Sequence, residues 1–264
     1  MNENYINDLY SKAIEFKENQ EYTNARKCIE KILNDYPENF SEDNYGEVFS
    51  FQDVLELYLY TLILDNEVNF KQSPIDNSGI YQVYAEVLIA QNEFDKAIKS
   101  LEISLKWDPV NVEALLMLAD GYSFKGIKEK SINCILKALD FSLNCSSLGR
   151  AYRSLGDYFY SEQQYEEAVC TYLISSSYLV RSSIKDIGEI EEKISLIEKE
   201  TSSKINMPTL KRAKEIMKSK GVKVGPSLHV SKTVLSLKKD AEERGQIEIV
   251  NYCNDIIEEL GISD

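Results

Sequence analysis

Histidine is nearly absent: His229 is the only one in 264 residues. That excludes a metal centre built on several imidazoles. The five cysteines, Cys28, Cys134, Cys145, Cys170 and Cys253, contain no CxxC pair and are odd in number. Neither a zinc-ligand spacing nor a disulfide framework is expected from them, and a reducing compartment fits better. Only five prolines and eleven glycines interrupt the chain, which leaves room for long helices. Gly221 and Gly225 are not followed by Lys-Ser/Thr, and neither GxGxxG nor a Walker pattern occurs, so no phosphate-cradling loop is expected. Long apolar runs are also missing. The greasiest stretch, Val48 to Leu64, carries Gln52, Asp53 and Glu56 and reads as a buried helix, not a membrane span. The opening MNENYINDLY has neither a basic region nor an apolar core. No secretory leader is expected from it, and the location expected is cytoplasmic.

What is abundant is negative charge. The formal net charge is −14 and the pI about 4.7. Such a chain repels phosphate backbones and anionic membranes as a whole and suits basic partners. Its 43% hydrophobic and 28% charged residues are those of a globular chain, not a disordered one. The frequent Ile, Lys, Asn and Tyr give a bacterial impression.

The chain repeats itself. Lys12 to Asn39 reads KAIEFKENQEYTNARKCIEKILNDYPEN, and Tyr84 to Asn111 reads YAEVLIAQNEFDKAIKSLEISLKWDPVN. Each has a small residue, Ala13 or Ala85, in a first helix, then a polar turn. Each has a second alanine, Ala25 or Ala97, twelve residues later, and a proline, Pro37 or Pro109, twelve later still. The register continues through Ala119, Tyr122, Ser131 and Ala138, and then through Gly156, Phe159 and Ala168 after three extra residues at Asn144-Cys145-Ser146. Two antiparallel helices pack closely where the small residues sit, and large ones such as Phe16, Leu88, Tyr122 and Phe159 fill the gaps. One such hairpin cannot bury its apolar faces alone, so stacked units are expected.

In these residues the chain resembles tetratricopeptide repeats. The expected fold is all-α: an α-solenoid of antiparallel helix pairs in a right-handed superhelix over residues 1–182, with a helical extension over 183–264. Units fall near 6–39, 78–111, 112–145 and 149–182. An irregular unit over 40–77 shows one apolar helix, about Gly46 to Leu64, with its second helix short or absent. The resemblance implies a concave, partner-binding groove lined by first helices. By register its residues are Tyr10, Ile14 and Lys17; Gln82, Glu86 and Ile89; Leu116, Asp120 and Phe124; and Arg153, Asp157 and Tyr160. Glu86, Asp120 and Asp157 stand where a carboxylate clamp would need positive or amide groups, so a C-terminal-tail clamp is not expected. Trp107 is expected at a repeat joint.

Past Arg181 the pattern changes. Ile187, Ile190, Ile194 and Ile197 form an a/d seam on a helix from about Ser183 to Lys199, expected to cap the array. Further helices are expected from Met207-Pro208 to Lys220, from Leu228 to Glu243 with Ser227 as cap, and from Gln246 to Leu260. Between Thr201 and Lys239, ten Lys/Arg face one acid, Glu215, a local +9 that leaves −23 elsewhere. Lys211, Arg212, Lys214 and Lys218 are its densest part. No aromatic interleaves with them to stack bases, which argues against nucleic acid.

No catalytic constellation emerges. His229 lies beside a loop without a nucleophile elbow, and Cys28, Cys134 and Cys170 fall near the buried side of second helices, where small apolar core roles are expected. Glu166-Glu167, Glu191-Glu192 and Glu242-Glu243 read as solvated helix faces. The expectation is a non-catalytic adaptor without cofactor or metal, binding a protein or peptide segment that carries basic residues. The alternative is a regulatory protein whose basic helices, 201–239, contact nucleic acid or an acidic protein.

Overall fold

A computed structural model describes residues 3–64, 70–178 and 184–263; the side chains of 64 and 184–187 lie outside the description. Two compact units divide the chain, Met1–Gly126 and Ile127–Asp264. Thirteen α-helices occupy the described residues, and the first and second, fourth and fifth, eighth and ninth, and twelfth and thirteenth pack as consecutive antiparallel pairs in the manner of tetratricopeptide repeats.

The first unit holds α1 (Glu3–Glu18), α2 (Tyr22–Asp35), α3 (Val54–Leu64), α4 (Asn77–Ala90), α5 (Phe94–Trp107) and α6 (Val112–Phe124). α1 pairs with α2 and α4 with α5. The small residues do what their spacing predicts: Ala13, Ala25, Ala85, Ala97 and Ala119 are buried, with Leu88 and Tyr122 packed among them. Phe16 is only half-buried.

The turns inside the pairs share one device. Gln20 and Asn92 hold φ near +60°, and the following N–H reaches back five residues: Glu21 to the Phe16 carbonyl at 2.7 Å, Glu93 to that of Leu88 at 2.8 Å. This closure satisfies the last carbonyls of the first helix, and the second helix starts without a side-chain cap. First helices instead start on a cap: Asp76 accepts from Gly79 N, and Asn111 from Ala114 N.

Residues 40–76 depart from expectation. The apolar helix begins at Val54, not near Gly46. Val48–Phe49 (β1) pairs in parallel with Lys71–Gln72 (β2), so the segment before α3 is extended. The start is set by Asp53 and Glu56. Asp53 Oδ1 accepts from Leu55 N, and Glu56 accepts from Gln52 N and Asp53 N at 2.8 and 3.1 Å, a capping box. Phe49, Phe51, Tyr60 and Phe70 cluster over the ribbon. Tyr45 meets Trp107 edge-on at 5.3 Å, and Ser50 N bonds the Trp107 carbonyl. Trp107 is fully buried at this joint. Between α3 and α4 no second helix stands among the described residues.

The second unit holds α7 (Lys128–Phe141), α8 (Cys145–Ser161), α9 (Tyr165–Ser176), α10 (Ile184–Thr201), α11 (Leu210–Ser219), α12 (Leu228–Glu243) and α13 (Ile247–Leu260). Residues 183–264 therefore share a compact unit with α7–α9. Asn144 accepts from Ser147 N, so the three extra residues are the cap and first turn of a longer α8 and not a loop. Gln163 repeats the left-handed turn between α8 and α9, and Gly245 between α12 and α13. Ile190 and Ile197 are buried against Ala168, Val169 and Tyr172 of α9, with Ile194 half-buried; Ile187 lies outside the described side chains. α11 starts on Thr209, later than expected, because Thr209 supplies the capping oxygen to Arg212 N. Ser227 caps α12 as expected, and Gly261 ends α13 in the left-handed conformation.

Candidate partner-binding face

In the first unit the candidate residues lie on α1, α4 and α6. Several of them bind each other. Lys17 Nζ meets Glu86 Oε2 at 2.6 Å, Gln82 Nε2 donates to Glu86 Oε1 at 3.3 Å, and Asn111 Nδ2 donates to Gln82 Oε1 at 3.1 Å. A polar seam thus runs from α1 across α4 to the start of α6. Tyr10 donates to Asp76 Oδ2 at 3.4 Å; burial first, then Asp76, pushes its phenol far above the ordinary range. Ile14 is half-buried beside it.

Leu116 is a correction. It is 1% exposed, so it is core and not groove. Its neighbours Leu115 and Leu118 are buried too, so α6 buries more than one stripe. Ile89, Asp120 and Phe124 do share one place. They line a cavity of about 310 Å³ together with Phe94, Ala97, Ile98 and Leu101 of α5 and Met117 and Gly121 of α6. Phe124 is 74% exposed and tilts over Phe94 at 4.9 Å. The α5 walls were not legible from first-helix register. The signal available was Phe94 opening α5 as an apolar residue on a polar turn.

In the second unit the three candidates on α8 are already engaged by α10. Arg153 faces Glu189 at 3.6 Å. Asp157 accepts from Tyr172 at 2.7 Å and pairs with Lys193 at 2.9 Å. Tyr160 donates to Glu200 at 2.5 Å, under Lys193. That bond, before burial, raises the Tyr160 phenol to about 12.

The basic segment is partly spent internally. Lys220 pairs with Glu167 at 2.6 Å, Lys223 with Asp140 at 2.7 Å, and Arg212 with Glu215 at 3.5 Å, while Lys214 lies over the Tyr178 ring. Lys211 and Lys218 are exposed on α11. Glu167 departs from the expected solvated face. It is buried, and Lys220 holds its carboxyl below the usual range against the cost of burial. Cys170 borders a second apolar cavity of about 210 Å³ with Val169, Ile197 and Ile205. Burial, then Glu166 and Glu167, raise its thiol to about 11, so it is protonated at neutral pH and a poor nucleophile. No group of three His, Cys, Asp or Glu able to hold a metal occurs among the described residues. None of their helices is long and apolar enough to cross a membrane.

The tetratricopeptide-repeat family model matches α4 and α5 with the flanking joint. The match covers residues 78–111. The α1–α2 and α8–α9 pairs reproduce this repeat's turn geometry and its buried small residues. No curated protein matches the chain. Solved structures that match include a crystal structure of BtubC (BKLC) from P. vanneervenii. It is 16% identical, with 82% of this chain and 89% of that chain covered and a TM-score of 0.40.

Proposed function

We propose that the chain is a non-catalytic scaffold that holds a protein or peptide segment on the first-helix face of its first unit. The observation that carries this reading is the meeting of Ile89, Asp120 and Phe124 at one open, mostly apolar cavity. Stacked helix pairs present preformed surfaces of this kind, and recognition on them costs little ordering. The α8 face contributes less, since α10 already occupies its charged groups.

The test is a pull-down from native lysate with wild-type bait and with an Ile14→Glu, Asp120→Lys bait, each checked by far-UV circular dichroism. The reading expects partners retained by the first and lost by the second. Identical partners on both baits would remove the first-unit face from recognition.

A further inference from the structure

The geometry points to the cavity between α5 and α6 as an anchor pocket for one large aliphatic or aromatic side chain of a lysine- or arginine-rich peptide. This rests on the proposed scaffold function and names the partner's chemistry. Two observations carry it.

The first is shape. The cavity of about 310 Å³ lies at the small end of ligand sites, too small for a whole helix face and suited to a single protruding side chain. Ile98, Leu101 and Ala97 are buried in its wall, and Ile89 and Phe124 form its exposed lip. Phe124 is the most exposed large apolar side chain among the described residues. A bare ring beside an apolar hollow is the arrangement that covering by a partner would stabilise.

The second is charge. Residues 1–126 carry 23 Asp/Glu against 10 Lys/Arg, a net −13, while 127–264 carry 21 against 20, a net −1. The acidity of the chain is therefore concentrated in the unit that holds the pocket. At the pocket's edge Asp120 is exposed and Asp95 and Glu93 are close in sequence to Phe94. Four cations of this region sit on carboxylates: Lys125 on Asp95, Lys96 and Arg26 on Glu93, Lys17 on Glu86. The net −13 of this unit repels an acidic partner and attracts and steers a basic one.

The probes are fluorescein-labelled model peptides of Lys and Ala around one central residue, Leu or Ala, with a Glu/Ala peptide around Leu. Binding to the full chain is read by fluorescence anisotropy. Burying a leucine in such a pocket makes the Leu-centred basic peptide bind on the order of tenfold or more tighter than the Ala-centred one. The Glu/Ala peptide is expected not to bind. Phe124→Ala and Ile89→Glu alter exposed residues, so the fold is retained, and each should erase the Leu preference. Equal binding of Leu- and Ala-centred peptides, or a preference unchanged in both variants, overturns the pocket. Self-association of the chain that Phe124→Ala abolishes would assign the lip to a second copy and also overturn it. If the lysate partners are lost with the Ile14→Glu, Asp120→Lys bait while the Leu preference is absent, the scaffold reading stands and the anchor pocket falls.

Discussion

Gly156 of α8 and Tyr172 of α9 touch so closely that a β-carbon on Gly156 would stand 2.5 Å from Tyr172 Cε1 and 2.6 Å from Cδ1. Tyr172 cannot yield, because it is fully buried and its hydroxyl is fixed on Asp157. Gly156→Ala should therefore destabilise the chain by about 1–3 kcal/mol, despite alanine's better helix propensity. Gly188 in α10 is the control, since nothing lies within 4 Å of its would-be β-carbon. Gly188→Ala should stabilise by about 0.5–1 kcal/mol. Urea midpoints moving in opposite directions for the two variants would bear this out; a shared direction would contradict the close-approach argument.

The left-handed turn between α8 and α9 is occupied by Gln163 at φ 59°, where a side chain is unfavourable. Gln163→Gly relieves that strain, at the cost of a more flexible unfolded chain. The net expectation is a gain of up to about 1 kcal/mol. Gln163→Val, whose branched side chain tolerates this region worst, should lose stability. Thermal melts of the two variants decide it.

The helix pairs were legible because close packing admits only small side chains, and Ala13, Ala85 and Ala119 leave that mark at fixed spacing. The cap at Ser227 was legible for a different, local reason: a hydroxyl just before a helix accepts from its first turn, here from Val230 N. The irregular unit over 40–77 was not legible, because its order comes from distant partners. Val48–Phe49 is extended by pairing with Lys71–Gln72, and the only local signal, Asp53-x-x-Glu56 as a capping box, is short. The candidate face was legible by register as far as Ile89, Asp120 and Phe124. Register cannot say which groove groups neutralise one another. Lys17 finds Glu86 and Tyr160 finds Glu200 only after the chain folds.

Asp108, behind Trp107, is fully buried, and one of its carboxylate oxygens has no hydrogen-bond partner. Burial first, then the charge of Glu56, with Asp76 adding to it, holds its carboxyl well above the usual range, against a bond from Val110 N. Glu56 is raised as well, chiefly by burial. Above the ordinary aspartate pKa of about 3.9 the unfolded chain has released a proton that the folded chain keeps. Stability should thus fall as pH rises from about 4 towards the folded pKa, by at most about 1.4 kcal/mol per pH unit for each such proton. Asp108→Asn removes its share of that slope. Urea midpoints across about pH 4.5 to 8 measure it, and equal slopes for variant and wild type would exclude Asp108 as the source.

Ser227 joins two tasks at the start of α12. Its Oγ accepts from Val230 N at 3.1 Å and donates to the Asp140 carbonyl at the end of α7 at 2.6 Å. The preceding loop is tied to the same helices: Tyr152 of α8 donates to the Lys223 carbonyl and accepts from Gly225 N, and Lys223 pairs with Asp140. Ser227→Ala loses the cap, about 1 kcal/mol, and the tether, about another 1 kcal/mol. Ser227→Thr keeps both the acceptor and the donor and should recover most of the loss. If the tether matters as much as the cap, amide exchange in Ser227→Ala should quicken across residues 221–227 as well as in the first turn of α12. Quickening confined to the first turn would reduce Ser227 to a cap and leave Tyr152 to hold the loop, since its two bonds do not depend on the Ser227 hydroxyl.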